Sequence, residues 1–315
     1  MEYIIAIIAG LAILGFVGYK IWKKRNNEDS ESDVIITPDT SGRKPMKKAL
    51  LVGINKYRPD LNADLRGCVN DVENMRDVLI RYFGFATENI RVVIDDRATK
   101  AAMIERLRWL LNGAAAGDEL VFHYSGHGSQ VRDRNGDELD DQLDEILCPH
   151  DMNWDDPFTD DTLGNMFKQL PNGVFLTMVC DSCHSGTMTR TLGNPGNPHD
   201  IKPRFIMPPF DVRCRSLNQI LPKRKMGKSP KSTQRHVLLS GCKDNQTSAD
   251  AFINNKYQGA LTWAFTTVVK SNPNLTWPEI HQKVLAKLNG YTQEPQLSGD
   301  NDLLNRKIFG GSSKS

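Results

Sequence analysis

Two side chains stand where nucleophilic chemistry is easiest to do. Cys183 lies in Asp181-Ser182-Cys183-His184-Ser185-Gly186, a cluster of small and polar turn-formers. His127 lies in Ser125-Gly126-His127-Gly128-Ser129, where flanking glycines clear space around the imidazole and free the adjacent backbone N–H. A thiol attacks as thiolate, and a nearby imidazole is the usual acceptor of its proton. Cys183 and His127 are therefore the candidate nucleophile and general base of a Cys–His dyad, the imidazole later protonating a leaving amine. The tetrahedral oxyanion of acyl transfer needs two fixed donors, and the backbone N–H groups of Cys183 and Gly128 are the candidates. No third member of a triad is evident.

The elements that position this pair are apolar runs. Residues 174–179 (VFLTMV) and 118–124 (DELVFHY) each lead straight into one of the two turns. Their length and β-branched content fit strands buried on both faces, as in a parallel sheet. Open α/β sheets do their chemistry in the crevice beyond the carboxyl ends of the strands, so the dyad is expected on adjacent strand ends. Further strands are expected at 47–55, 89–94, 145–148 and 236–240. Helices are expected at 68–83, 99–111 (Thr99 as N-cap), 160–170, 259–270 and 276–288. Strands alternating with helices give an α/β fold: a mostly parallel central sheet with helices on both faces.

At these residues the chain resembles the metacaspases and their prokaryotic relatives, the orthocaspases. Tyr124-Ser125-Gly126-His127-Gly128 and Asp181-Ser182-Cys183-His184-Ser185-Gly186 are similar to the two family signatures. Residues 67–71 (GCVND), 239–250 (LSGCKDNQTSAD) and 296–298 (QLS) follow the pattern too, in the right order across residues 47–309. The resemblance implies a caspase-like fold and a cysteine endopeptidase. It also implies that Cys68, Asp71, Ser125 and Asp181 line a pocket for the Arg or Lys preceding the cut bond. A carboxylate pair suits a guanidinium or ammonium and repels an acidic residue. Calcium-dependent members hold the ion with acids matching Asp144, Asp160 and Asp161, together with an Asp at the position filled here by Arg190. The cation at 190 weighs against a requirement for calcium, which stays a candidate activator. Asp133-x-Asn135-x-Asp137 has alternating oxygens, but Glu138 stands where an EF-hand needs Gly. No cofactor is required for the chemistry.

Among 315 residues, 25% are charged and 39% hydrophobic, ample for a core, and a net charge of +2 is too small to imply nucleic acid. Six cysteines without scaffold-like spacing suit a reducing compartment. Cys180-x-x-Cys183 invites a redox reading, but no second such pair completes a metal half-site and Cys180 falls on the apolar strand. A thiol–disulfide oxidoreductase, and a catalytically silent binding or scaffold protein on the same fold, are the alternatives from other classes.

Residues 1–25 are of a different composition. Sixteen residues from Ile4 to Tyr19 carry no charge, and Lys20, Lys23, Lys24 and Arg25 follow. Residues 3–22 are read as a single membrane-spanning anchor, with the positive flank and the catalytic domain on the cytoplasmic side. Residues 26–46 read as a flexible tether and 47–310 as the peptidase domain. Within it, 47–186 resembles a large subunit, 187–235 is a basic linker and 236–310 resembles a small subunit. The expected partners are peptides with Arg or Lys before the cut bond and the membrane; nucleic acid is not expected, and a monomer is.

Two charged loops leave the catalytic edge. Residues 133–161 hold twelve acids against one base, and 187–235 hold eleven Lys or Arg against two acids. The basic loop carries seven prolines, so it is expected to be irregular, accessible and open to self-cleavage at Lys223, Arg224, Lys225 or Lys228.

Overall fold

A computed structural model describes residues 42–132, 143–183, 201–215, 236–243 and 246–311. The strands are β1 (Lys47–Gly53), β2 (Ile90–Ile94), β3 (Glu119–Ser125), β4 (Gly128–Arg132), β5 (Leu143–Leu147), β6 (Phe158–Thr159), β7 (Phe175–Asp181), β8 (Lys202–Pro203), β9 (His236–Ser240), β10 (Ala249–Ile253), β11 (Lys256–Gly259) and β12 (Gln296–Ser298). The helices are α1 (Cys68–Phe83), α2 (Lys100–Leu111), α3 (Asp160–Phe167), α4 (Phe210–Arg215), α5 (Ala260–Ser271), α6 (Trp277–Lys287) and α7 (Asn301–Leu304).

Six strands form the central sheet in the order β12-β9-β7-β3-β1-β2, parallel throughout except for β12 against β9. All seven residues of β3 are buried, which is why its sequence is a continuous run rather than an alternation. The helices start and stop on local signals. Thr99 Oγ accepts from the Ala102 N–H at the start of α2, and Thr276 and Glu279 close a capping box on α6. Gly84 ends α1 with φ of 70°. On one side of the sheet Phe309 sits edge-on to Phe83, Phe85, Phe265 and Trp277, tying α1, α5, α6 and the C-terminal turn into one apolar core.

The register places the site. In β3 and β7 the last paired residues are Ser125 and Asp181. His127 and Cys183 each follow by two residues, so the expected juxtaposition at adjacent strand ends holds. Two small sheets, β11-β10-β8 and β4-β5-β6, flank that edge. The β10–β11 hairpin was not anticipated from the sequence. It turns on Asn254 and Asn255, both left-handed (φ 51° and 64°), which asparagine tolerates better than most residues. Asp250 and Gly259 face each other across this hairpin.

Two expectations need correction. The tether does not run to residue 46: Arg43 Nη2 pairs with Asp118 Oδ2 at 2.5 Å and the Met46 N–H donates to Asp118 Oδ1 at 2.7 Å. The chain from 43 onward belongs to the domain. The basic loop is not uniformly irregular either, since residues 202–206 are built into the catalytic edge through β8. No helix among the described residues is long and apolar enough to cross a membrane. The anchor expected at 3–22, Arg190, and the cleavage sites expected at Lys223, Arg224, Lys225 and Lys228 lie outside the described residues.

Candidate active site

His127 is held from several directions. Its backbone N–H donates to Tyr57 Oη (2.8 Å), and its carbonyl accepts from Tyr124 Oη (2.6 Å) and from the Cys148 N–H (3.0 Å). The ring Nε2 lies 2.7 Å from the Ala63 carbonyl, a contact that requires the proton on Nε2 and leaves the Nδ1 lone pair open. Nδ1 is buried and has no hydrogen-bond partner among the described residues. Burial pulls the imidazole down to about 4, reinforced by the charges of Arg204 and Lys202 and opposed by the Ala63 carbonyl. At neutral pH the ring is an uncharged base whose orientation is set by a backbone carbonyl instead of a third side chain.

Cys183 is buried at the end of β7, where its Sγ accepts from the Ser248 N–H and lies 3.6 Å from the Ser248 carbonyl. The two expected oxyanion donors converge: Gly128 N–H and Cys183 N–H both donate to one oxygen, at 3.0 and 3.2 Å. That oxygen is the backbone carbonyl of Arg204.

The Arg204 side chain fills the pocket expected for an arginine substrate. It is fully buried, with Nη2 at 2.8 Å from Asp71 Oδ2 and 3.1 Å from Asp250 Oδ1, and Nη1 at 2.8 Å from Ser125 Oγ and 3.3 Å from Asp181 Oδ1. Burial alone would lower the guanidinium, but Asp181, Cys68, Asp71 and Asp250 together hold it well above its ordinary value. The acids are themselves pinned. Asp71 accepts from Ser125 Oγ and the Gly259 N–H, Asp181 from Ser248 Oγ and from Thr262 through both N–H and hydroxyl, and Asp250 from the N–H groups of Arg66 and Gly67. Desolvation pushes the Asp71 carboxyl up to about 7, with Asp181 adding to the rise and Arg204 opposing it. Gly259 closes the pocket wall: a Cβ there would run into Asp181 Oδ2 and the Arg204 guanidinium.

Of the four pocket residues expected from the sequence, Asp71, Ser125 and Asp181 touch the guanidinium. Cys68 lies behind Ser125 as a buried thiol, held high by desolvation. Asp250 and Gly259 were missed as pocket residues. Asp250 closes the stretch LSGCKDNQTSAD, and its place opposite Gly259 appears only with the hairpin register. Arg204 was missed because it reads as one more cation in a basic loop.

The acids expected to bind calcium come together in part. Asp160, at the start of α3, is pushed up to about 7 by burial and by the charges of Glu145, Asp161 and Asp144. Yet among the described residues no three acids are arranged as a ligand set. The acids of residues 133–142, which precede Asp144 in the chain, lie outside the described residues. Cys180 lies on β7 with Sγ 3.0 Å from Ser182 Oγ, and burial pushes its thiol up to about 12. It is a packed strand residue, not a redox partner poised as thiolate.

A family model described as "Metacaspase, peptidase C14 domain" matches residues 47–191. Metacaspase-1 of Eremothecium gossypii is 34% identical over 80% of this chain and 63% of its own length. Metacaspase-1 of Coccidioides immitis is 36% identical over 80% of this chain and 61% of its own. The chain therefore spans a little over three fifths of those two relatives. Metacaspase-1 of Ajellomyces capsulatus, 34% identical, is matched over 80% of this chain and 79% of its own length. A crystal structure of a Geobacter sulfurreducens protein superposes with a TM-score of 0.63 at 26% identity, covering 84% of this chain and 98% of that one. With a relative 34% identical over 80% of this chain and 79% of its own length, the chain belongs to the metacaspase family.

Proposed function

We propose that this chain is a cysteine endopeptidase that hydrolyses peptide bonds following Arg or Lys. One observation carries the reading: an arginine already lies with its guanidinium among Asp71, Asp181, Asp250 and Ser125 while its own carbonyl takes both N–H groups of Gly128 and Cys183. A foreign Arg residue in the same pose presents its carbonyl carbon at the turn that carries Cys183. His127 Nδ1 takes the thiol proton, and the thiolate attacks. The developing oxyanion draws on the two fixed N–H donors, which act at full strength because the site is buried. His127 then returns the proton to the leaving amine, and water hydrolyses the thioester. Ala63 holds the ring in the tautomer this sequence of transfers requires.

Lys fits the same pocket as a point charge, without the fork by which Arg reaches Asp71 and Asp250 through Nη2 and Ser125 and Asp181 through Nη1. The substrates are accordingly proteins or peptides with a basic residue before the cut bond. The chemistry runs on side chains and water; calcium, where it acts, would do so through the crowded acids around Asp160. The apolar stretch at 3–22 supports a membrane anchor with the peptidase on the cytoplasmic side.

The test is a peptide library varied at the residue before the cut, assayed on the full chain in detergent with calcium and with a chelator. Cleavage confined to Arg and Lys is expected, Arg the better. Turnover after Asp or after apolar residues, or none after any residue, overturns the proposal. A difference between the two arms reads the calcium dependence directly.

A further inference from the structure

We infer that residues 202–206 are a built-in substrate and that Arg204–Phe205 is a bond the enzyme cuts in itself. The inference rests on the peptidase reading above and assigns a bond far from the Lys/Arg cluster at 223–228.

The segment lies in the cleft as a substrate must, over several residues and in one direction. Before Arg204, Lys202 and Pro203 add an edge strand to β10, pairing antiparallel with Asp250 and Ala249, and the Arg204 N–H donates to the Ser248 carbonyl at 3.0 Å. Adding an extended strand to a sheet edge is a general way for a protein to hold a peptide. At Arg204 the side chain is in the acidic pocket and the carbonyl is on the two oxyanion donors. After it, the Ile206 N–H donates to the Gly128 carbonyl at 3.0 Å and Ser129 Oγ donates to the Ile206 carbonyl at 2.6 Å. A loop that merely needed its arginine neutralised would need the ion pairs; it would not need its carbonyl in the oxyanion site or its flanks in register on both sides of the dyad.

The step balances without any added reagent but water. Cys183 Sγ leaves the Ser248 N–H, gives its proton to His127 Nδ1 and bonds to the Arg204 carbonyl carbon. The Arg204–Phe205 C–N bond breaks as His127 protonates the Phe205 nitrogen, which becomes a new amino terminus. Water then cleaves the thioester, leaving Arg204 with a carboxylate and Cys183 with its thiol. Because nucleophile and bond are in one chain, the reaction is first order. Until the cut, Arg204 occupies the pocket that any other Arg or Lys would need.

The experiment incubates the full wild-type chain and Cys183→Ala side by side, with calcium and with a chelator, and maps new amino termini by mass spectrometry against time and dilution. A terminus at Phe205 is expected in wild type and not in Cys183→Ala, at a fractional rate that dilution does not change. Phe205→Pro should stay uncut at this bond. The β-bridge here uses the Arg204 carbonyl and the Ile206 N–H, both of which that substitution leaves in place. Replacing Arg204 is the poorer choice, since it would leave Asp71, Asp181 and Asp250 facing one another unneutralised. A wild-type chain that cleaves Arg peptides but keeps 204–205 intact, or cuts only within 223–228, overturns the inference and leaves the peptidase reading standing. A rate that rises with concentration overturns the intramolecular cut. A chain that cuts neither itself nor Arg peptides overturns both readings.

Discussion

The backbone N–H groups of Gly128 and Cys183, on turns after two different strands, point at the same oxygen atom from 3.0 and 3.2 Å. Parallel pairing of β3 with β7 is what makes this possible: Ser125 and Asp181 are register partners, and each turn unwinds from the sheet by the same two residues. The offset also puts Ser125 and Asp181 below the turns, where both reach the Arg204 guanidinium. The guanidinium and the carbonyl of Arg204 are thus held at two levels of one strand pair.

The first prediction concerns the dyad. Cys183→Ala and His127→Ala should each lower kcat on an Arg peptide by about four orders of magnitude, and the double variant should be no worse than either, because the two act as a unit. Cys180→Ala should stay within a few-fold of wild type, since that thiol is packed on β7 and held up to about 12 by burial. Steady-state kinetics on the four proteins decide it. Comparable losses at Cys180 and Cys183 would point to redox chemistry instead.

A second prediction separates binding from chemistry by pH. With a guanidinium in the pocket the Asp71 carboxyl stands at about 7, raised by desolvation; Arg204 opposes that rise, so an empty pocket holds the carboxyl higher still. A bound cation therefore displaces a proton between those two values. Below about 7 the carboxyl is protonated with or without the cation, so 1/KM for an Arg peptide should be flat there and climb above it. His127 in the filled cleft is held near 4 by burial, so the acid limb of kcat should lie well below the rise in 1/KM. Coincident limbs for kcat and 1/KM would show that one group governs both.

The pocket wall gives a third. Gly259→Ala should cost at least about a hundredfold in kcat/KM for Arg peptides, because the new methyl occupies guanidinium space between Asp181 and the ligand. Asp250→Asn removes one of the two acids addressed by Arg204 Nη2 and should lower kcat/KM for Arg by roughly tenfold, more than for Lys. Parallel assays on Arg and Lys peptides read the ratio; equal losses for both would mean that Asp250 acts only by holding the Arg66–Gly67 turn.

How much of this was legible in the sequence depended on distance along the chain. Strand runs such as 118–124 and the two turns after them are local patterns, so the sheet and the placement of His127, Gly128 and Cys183 at one edge of it could be read directly. Asp71 and Asp181 came through resemblance. Asp250 reaches the pocket through a hairpin turning on two asparagines, a signal present in Ile253-Asn254-Asn255-Lys256 and overlooked because Asn-Asn is a weaker turn marker than Asn-Gly. Arg204 has no local signature. Its burial depends on three carboxylates from α1, β7 and β10, which only the tertiary fold collects.

The last prediction follows from the corrected domain boundary. Asp118 immediately precedes β3 and is almost fully buried, and three donors meet it: Arg43 Nη2, the Met46 N–H and the Ala115 N–H. Removing residues 1–41 leaves all three, so that chain should be soluble, with the Tm and specificity of the intact catalytic domain. Removing residues 1–43, which keeps Lys44 and Pro45 ahead of Met46, deletes Arg43 and leaves a buried carboxylate without its guanidinium. A hydrogen bond to a charged group is worth ~1.5–3 kcal/mol, and the remaining N–H donors retain part of the compensation, so a net loss of ~1–2 kcal/mol is expected. For a domain of this size that is a drop in Tm of several degrees. Arg43→Ala in the longer chain should reproduce most of the drop with kcat/KM unchanged, since Arg43 and Asp118 lie at the opening of β3 and the dyad lies beyond its carboxyl end. Differential scanning calorimetry of the three proteins checks it; identical Tm values would show that the pair is formed but contributes nothing net to stability.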